Sequence, residues 1–183
     1  PANERELAEV LRHCARRGTP FMILGRGSNL LIRDGGIRGV VISLAHPEFS
    51  RVDIENDRLR CGAGAKLKTV AVEARRHELA GLEFLEGIPG SVGGALRMNA
   101  GAMGAWMFDV VERVRFMSLD GEVFERGAGE VAVEYRGCPL LKTHIALGAV
   151  LKGARAAPET VRERMDLFSR KRWESQPNQP SAG

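Results

Sequence analysis

Two glycine-dense segments, about sixty residues apart, constrain what this chain can fold into. The first is GRGSN, from Gly25 to Asn29, and the second is GIPGSVGGALRMNAGAMG, from Gly87 to Gly104. Glycine lacks a Cβ, so it allows backbone amides to approach a ligand closely, and successive amides can bind pyrophosphate oxygens. The two segments together predict a large ligand that carries phosphate groups.

The sequence around the first glycine segment distinguishes between kinds of phosphate loop. Residues 21–24 are an apolar run typical of a short strand, and residues 30–32 are apolar again, which predicts that extended structure resumes after Asn29. A Rossmann fingerprint or a Walker loop opens a helix after its glycines. Here a turn at 33–36 and a further strand at 39–43 follow, so the sequence favours a strand–loop–strand phosphate site.

Composition and charge exclude several functions. The chain has 183 residues and three cysteines, and Cys14, Cys61 and Cys138 are too far apart to suggest a disulfide framework or a zinc site. We therefore expect buried or semi-buried thiols, no metal, and histidines without a ligand role. The net charge of +4 permits an anionic ligand, but it is too diffuse to indicate nucleic acid.

No apolar run is long enough to span a bilayer and no signal-peptide pattern is present, so we expect a soluble, cytoplasmic protein without a membrane partner.

The order of predicted elements indicates an α+β protein with two lobes. A helix over 3–17 and strands near 21–24, 30–32 and 39–43 form a first α/β lobe, residues 1–47. A hairpin at 51–61, a helix starting after residue 65, strands at 110–119 and 122–125, and a strand at 145–151 form a second lobe, residues 48–155. Residues 156–183 contain a helix over 158–173, whose basic end suits the helix dipole, and then a polar, proline-rich linker.

Four motifs in order give the chain a family resemblance. They are LGRGSNLLIRDGGIRGVVI (24–42), GLEFLEGIPGSVGGALRMNAGAMG (81–104), EYRGCPL (134–140) and RKRWESQPNQPSAG (170–183). With them the chain resembles the UDP-N-acetylenolpyruvoylglucosamine reductases, the MurB family of flavoenzymes in peptidoglycan precursor synthesis. A lone GxGxN would be weak support, whereas the long second motif is very specific.

The resemblance implies a two-lobed FAD-binding fold of the vanillyl-alcohol oxidase and p-cresol methylhydroxylase type, with noncovalent FAD between the lobes. It implies that the first glycine segment binds the FAD pyrophosphate through backbone amides and that the second lines the flavin. The cofactor-binding residues so predicted are Gly25, Arg26, Gly27, Ser28 and Asn29, and then Ile88, Pro89, Gly90, Ser91, Gly93, Gly94, Asn99, Ala100 and Gly101.

The resemblance also implies the reaction. NADPH reduces FAD, and the flavin reduces UDP-N-acetylglucosamine enolpyruvate to UDP-N-acetylmuramate. Arg136 is then the catalytic residue, because its guanidinium can stabilise charge that develops at the substrate carboxylate, and Tyr135 binds substrate. The family commonly has serine where this chain has Cys138, which affects fine positioning only.

The resemblance further predicts what the chain lacks. In the family a serine that acts as general acid follows the PSAG string directly, and a C-terminal substrate domain follows that serine. We therefore expect a flavin-binding fragment, truncated at both ends, with little or no reductase activity. Two alternatives remain at this point: a flavin oxidase of the same fold, and a catalytically silent nucleotide-binding module. We expect no obligate protein partner.

Overall fold

A computed structural model describes residues 1–175, and these residues form an α+β structure with one five-stranded sheet and three two-stranded sheets. The strands are β1 (Phe21–Leu24), β2 (Val40–Ser43), β3 (Val52–Glu55), β4 (Arg58–Gly62), β5 (Leu79–Ala80), β6 (Gly101–Ala102), β7 (Ala105–Trp106), β8 (Val111–Met117), β9 (Val123–Gly127), β10 (Ile145–Lys152) and β11 (Ala154–Arg155). The helices are α1 (Glu4–Arg17), α2 (Leu67–Arg76), α3 (Val92–Met98), α4 (Met107–Val110), α5 (Leu140–Thr143) and α6 (Pro158–Ser175), with short 3-10 turns at Pro47–Phe49, Glu83–Gly87 and Ala128–Glu130.

Helix α1 begins and ends where its sequence directs. The Asn3 side chain accepts a hydrogen bond from the Glu6 amide at 3.0 Å, which caps the first turn. Gly18 ends the helix in the left-handed region, with φ at 61°. Leu7 and Leu11 lie on one buried face and pack against Ile42 of β2. The helix thereby covers one side of the parallel pair formed by β1 and β2.

The larger sheet is five-stranded, in the order β3-β4-β10-β8-β9, with every neighbouring pair antiparallel. The predicted hairpin turn at 55–57 joins β3 to β4, with Asn56 at φ 57°. The predicted turn at Asp120 and Gly121 joins β8 to β9, where the Gly121 amide donates to the Ser118 carbonyl at 3.0 Å. Both hairpin predictions are confirmed.

Two buried clusters hold the molecule together. The larger one fills the space between the five-stranded sheet and helices α2, α3 and α6, and it includes Leu59, Phe84 and Leu151. The smaller one joins α1 and β2 to the far end of the large sheet through Met117, Ile145 and Leu147. The small parallel sheet is therefore attached to the large sheet by an apolar contact as well as by the chain.

Several predictions about elements are wrong or lie outside the described residues. Residues 30–32 form no strand, and the chain there runs as an exposed loop without a pairing partner. The second glycine segment contains α3, which the glycines concealed, and the segment before β10 contains the short α5. Helix α6 continues through the first two residues of the predicted linker, and residues 176–183 lie outside the described part of the chain. The division of the chain at residues 47 and 155 stays a prediction.

The structure also bears on the cysteines, on membrane spans and on metal sites. All three thiols are free and buried, as expected. Among the described residues, no helix is long and apolar enough to cross a membrane. Within residues 1–175, the side chains of His, Cys, Asp and Glu form no group of three or more that could hold a metal ion.

Candidate functional site

A cleft of about 970 Å³ lies between the small parallel sheet and the large sheet. One wall is β1 with the first residues of the loop that follows it. The other wall is the start of α3, the residues before α2, and the segment that joins α5 to β10. Of the predicted cofactor residues, five line this cleft: Gly25, Arg26, Ser91, Gly93 and Gly94.

The two glycine segments contact each other directly. The Ser28 hydroxyl donates a hydrogen bond to the Pro89 carbonyl at 2.8 Å, across sixty-one residues of sequence. A Cβ on Gly25 would lie 2.9 Å from the Ser91 Oγ, so this approach requires glycine or a shift of the serine. The predicted phosphate loop and the predicted flavin loop therefore form one continuous surface, to which Ser28, Pro89 and Gly90 contribute at the join.

Helix α3 is fixed in this surface by the backbone of the neighbouring strand region. The Val92 amide donates to the Ala65 carbonyl at 2.9 Å, and the Gly93 amide donates to the Ala63 carbonyl at 2.8 Å. A Cβ on Gly93 would lie 3.0 Å from the Ala63 Cβ, so the helix packs closely against this segment. The cleft wall is thus held by main-chain hydrogen bonds, which keep its shape independent of side-chain rotamers.

The charged residues that line the cleft are all cationic. They are Arg26, Arg51, Lys66, Arg97 and Lys142, and no aspartate or glutamate among the described residues lines the cleft with them. Two of these cations have acidic partners, since Arg51 pairs with Glu48 at 2.7 Å and Lys142 pairs with Glu134 at 3.5 Å. The Arg97 side chain donates to the Leu141 carbonyl and so ties α3 to α5. Such a lining attracts an anion.

A second group of predicted residues lies at the far end of α3, and it consists of Asn99, Ala100, Gly101, Tyr135 and Arg136. Asn99 adopts a left-handed conformation, with φ at 39°, and its Oδ1 accepts from the Phe108 amide at 3.2 Å. Its Nδ2 donates to the Glu134 carbonyl at 3.4 Å, which connects the NAGA segment to the segment that holds Tyr135 and Arg136. The seven residues of α3 span about 10 Å, so the two groups lie at opposite ends of this helix.

Tyr135 and Arg136 occupy the tip of a tight turn. The Glu134 amide donates to the Gly137 carbonyl at 2.9 Å and the Gly137 amide donates back at 3.2 Å. Arg136 has φ at 60°, a conformation that non-glycine residues adopt rarely, and its side chain is exposed. Tyr135 is 81% exposed and meets the ring of Trp106 edge to face at 5.7 Å. Both side chains are presented to solvent from a turn whose backbone is held by these two hydrogen bonds.

Gly101 shows why this end of the site also needs glycine. A Cβ at Gly101 would overlap the indole ring of Trp106, which lies across the hairpin of β6 and β7. The Met107 amide donates to the Ala100 carbonyl at 2.8 Å and closes the same hairpin. Ala100 is buried, whereas Ile88 is half-buried and packs at the edge of the larger core. Neither Ile88 nor the residues 99–101 line the main cleft.

Two thiols lie near this surface but are not poised to react. Cys138 follows the tight turn, is fully buried, and donates its backbone amide to the Arg97 carbonyl at 3.0 Å. Burial raises the pKa of the Cys138 thiol, so the neutral form is favoured. Burial also raises the pKa of Cys61, on β4, to about 12. Cysteine chemistry therefore has no place in this site.

Several residues of the cleft were missed by sequence reasoning. The segment from Lys142 to Ala146 and the pair Lys66 and Thr69 line the cleft, yet they belong to no glycine-rich motif. Position in the fold brings them together, because α5 leads into β10 beside the start of α2. The only hint in the sequence was a polar interruption, Lys142 to His144, directly before an apolar strand.

A family model described as an FAD binding domain matches residues 1–127 of this chain. The chain belongs to the FAD binding domain family. This result confirms the predicted fold class, and it confirms FAD as the cofactor of the family to which the chain belongs.

Two relatives among curated proteins carry the same name. The chain is 40% identical to the UDP-N-acetylenolpyruvoylglucosamine reductase of Clostridioides difficile, over 100% of this chain and 60% of the relative. It is 44% identical to the enzyme of the same name from Paramagnetospirillum magneticum, over 97% of this chain and 57% of the relative. The resemblance found in the sequence is therefore confirmed. The chain spans about 60% of the length of these relatives.

Solved structures agree with this assignment of the fold. The structure of UDP-N-acetylenolpyruvylglucosamine reductase (MurB) from Thermus caldophilus matches 99% of this chain and 64% of its own, with a TM-score of 0.86 and 36% identity. The 6-hydroxy-D-nicotine oxidase of Arthrobacter nicotinovorans matches 84% of this chain with a TM-score of 0.65 at 16% identity. At that identity the second likeness concerns the fold alone.

Proposed function

We propose that this chain is the FAD-binding part of a UDP-N-acetylenolpyruvoylglucosamine reductase. The observation that carries the proposal is the cleft in which two glycine segments meet and in which every charged side chain of the described lining residues is positive. The relatives of that name, at 40% and 44% identity, support the choice of reaction. The reaction is a cytoplasmic one in this proposal, because its reductant is NADPH and its substrate is a UDP-sugar.

The cleft fits a flavin dinucleotide in charge and in its exposed backbone. Its cations would offset the pyrophosphate charge, and the close approach of Gly25 to Ser91 leaves backbone exposed where a Cβ would intrude. We assign the pyrophosphate to Gly25, Arg26, Gly27, Ser28 and Asn29. The flavin end is assigned to the segments around α3: Ile88, Pro89, Gly90, Ser91, Gly93, Gly94, Asn99, Ala100 and Gly101.

When bound, FAD supplies hydride-transfer chemistry between NADPH and the enolpyruvyl group of the UDP-sugar. The chain's own contribution to that chemistry is orientation and electrostatic stabilisation. Asn99 holds the flavin-side segment and the Tyr135–Arg136 turn in one arrangement through its two hydrogen bonds. In this proposal the Arg136 guanidinium pairs with the substrate carboxylate, and Tyr135 contacts the substrate.

Arg136 suits this role because, within residues 1–175, its side chain makes no hydrogen bond or ion pair. It is exposed at the tip of a turn, and its backbone is fixed by the paired hydrogen bonds of Glu134 and Gly137. A guanidinium on a fixed turn binds a carboxylate through two parallel hydrogen bonds with little loss of freedom. The neighbouring contact of Tyr135 with Trp106 holds the same turn against the hairpin of β6 and β7.

The activity of the chain by itself is proposed to be low. The chain spans about 60% of the relatives, and the family resemblance assigns the general acid to a position after the PSAG string. A positioned general acid contributes about 10² to 10⁴ in rate. The chain by itself is therefore expected to retain FAD while turning over substrate slowly.

The test of the proposal is flavin retention. The purified chain is incubated with FAD, freed of unbound ligand, and examined by visible absorption, and retained flavin bands are expected. Heat denaturation of the complex should then release the flavin, because the binding is noncovalent. A chain that retains no flavin contradicts the proposal. Flavin that is retained and then reduced by NADPH excludes the alternative of a catalytically silent module.

The role of Arg136 is tested in the same complex without relying on turnover. Addition of UDP-N-acetylglucosamine enolpyruvate should perturb the bound flavin spectrum, and R136Q should abolish this perturbation while it leaves flavin retention unchanged. Arg126 on β9 offers a matched control, because its guanidinium lies over the Phe116 ring, 5.6 Å from the ring centre. An R126Q variant that loses the perturbation equally would contradict the assignment of Arg136.

A further inference from the structure

Lys66 is a cation of the cleft that no glycine motif contains. It immediately precedes α2, it is exposed, and it lines the cleft together with Ser91, to which it is joined by an isolated antiparallel bridge. Arg51 and Lys142, in the same lining, are each paired with a glutamate. Within residues 1–175 Lys66 takes part in no ion pair, so its charge is directed at the cleft without an acidic partner.

The stability of α2 does not account for a lysine at this position. The helix carries no acidic residue in its first turn, and the Lys66 side chain makes no capping hydrogen bond. A cation at the N-terminal end of a helix opposes the helix dipole. The buried side of the same helix is apolar, with Leu67, Val70 and Ala71, so Lys66 adds nothing to the packed face. Its position costs the helix stability and supplies positive charge to the cleft.

We propose that Lys66 is a ligand-binding residue that recognises the phosphate groups of the dinucleotide from the wall opposite Arg26. This inference rests on the proposed function, and it adds a contact from outside the two glycine segments. Arg26 belongs to the loop after β1, whereas Lys66 belongs to the large-sheet side, so the two cations approach the cleft from different parts of the fold. A phosphate-bearing ligand between them would be held by charge from both walls.

The experiment is a titration of the chain with FAD, followed by flavin fluorescence, at several salt concentrations. The variants are K66Q, K66R and the control K68Q, because Lys68 is exposed on the same helix and lies outside the cleft lining. K66Q is expected to weaken FAD binding about tenfold at low salt, since a hydrogen bond to a charged group is lost. The loss should shrink toward zero near about 1 M salt, where exposed charges are screened.

The controls separate a charge effect from a folding effect. K66R should recover most of the affinity, K68Q should bind as the unchanged chain does, and the unfolding midpoint of ligand-free K66Q should be equal to or higher than that of the unchanged chain. Unaltered FAD binding in K66Q overturns the inference and leaves the proposed function standing. A loss that does not depend on salt, or that K68Q shares, also overturns it. Failure of the unchanged chain to bind FAD overturns the proposed function and this inference together.

Discussion

The two walls of the cleft differ in how they are stabilised. The wall on the large-sheet side is backed by five paired strands and by the larger buried cluster. The other wall is a pair of four-residue parallel strands covered on one side by α1. In the loop that follows β1, Leu31 is 88% exposed. Two strands alone are marginal in water, so this wall depends on its apolar contact with the large sheet. One wall of the cleft is therefore rigid, and the other wall is weakly held.

This difference places flexibility on the side that is proposed to bind phosphate. Backbone amides of the first loop would be drawn onto an anionic ligand, while α3 and its hydrogen bonds to Ala63 and Ala65 keep the other wall in place. The Ser28–Pro89 hydrogen bond is the direct link between the two glycine segments. Loops that bind ligands are commonly drawn from the less stable parts of a fold.

The largest expected effect comes from comparing two phenylalanines. Phe84 is 2% exposed in the larger cluster, whereas Phe21 of β1 is half-buried. F84A should lower the free energy of unfolding by about 3–5 kcal/mol, because it leaves a cavity in a packed core. F21A should cost about half of that or less, since less apolar area is lost from burial. Urea denaturation of both variants measures the difference, and an equal or greater loss in F21A would show that the two walls are equally well packed.

A smaller effect is expected in the reactivity of two buried thiols. Cys14 lies on α1 and Cys61 on β4, and both are almost fully buried. Burial holds the pKa of Cys61 at about 12, so this thiol stays protonated while folded and reacts only after its sheet opens. Alkylation near about pH 8, followed by peptide mapping, should modify Cys14 faster by on the order of tenfold. Equal rates in denaturant serve as the control, and earlier modification of Cys61 would reverse the comparison.

The elements of the two walls could be predicted from the sequence only where a local pattern of residues determines the structure. Helix α1 was predictable from the spacing of its apolar residues and from Asn3 and Gly18 at its ends. The apolar run at 30–32 has strand character, but no strand lies beside it, and pairing is a property of the whole fold. Helix α3 was hidden because Gly93 and Gly94 lower helix propensity. Gly93 is nevertheless favourable there, since the helix packs against Ala63.

The candidate site was predictable only in part, for a similar reason. Glycine motifs and the Tyr135–Arg136 pair have a recognisable order along the chain, which carried the family resemblance. The cations at Lys66 and Lys142 reach the cleft through the pairing of β10 with β4 and the placement of α5, and single positions in the sequence do not record these contacts. The roles of all these residues toward FAD stay predictions.

A further prediction concerns the link between the walls. S28A removes the hydroxyl that donates to the Pro89 carbonyl, so FAD affinity should fall by about fivefold, the equivalent of one net hydrogen bond of ~1 kcal/mol. S28T keeps a hydroxyl and should bind more tightly than S28A. Equilibrium titration followed by flavin fluorescence provides both numbers. If S28A and the unchanged chain bind equally, the two segments do not need this bond to form one surface.

The smallest expected effect is at the exposed loop. Leu31 is largely exposed, so L31S should change the free energy of unfolding by no more than about 0.5 kcal/mol. Leu59 of β4, which is fully buried, gives the contrast, since L59A should cost about 2–5 kcal/mol. Denaturant titration of the pair tests the claim that the loop after β1 carries no core. A loss in L31S that approaches that of L59A would mean that the loop packs in solution.

Hydrogen exchange of the chain with and without FAD tests the central claim most directly, because it reports on both walls at once. The account predicts that FAD slows exchange in residues 25–29 of one wall and in residues 90–94 of the other, with the larger change in the first because it is the less stable wall. Protection confined to one wall, or located away from both glycine segments, would contradict the claim that the cleft between the two sheets is the FAD site.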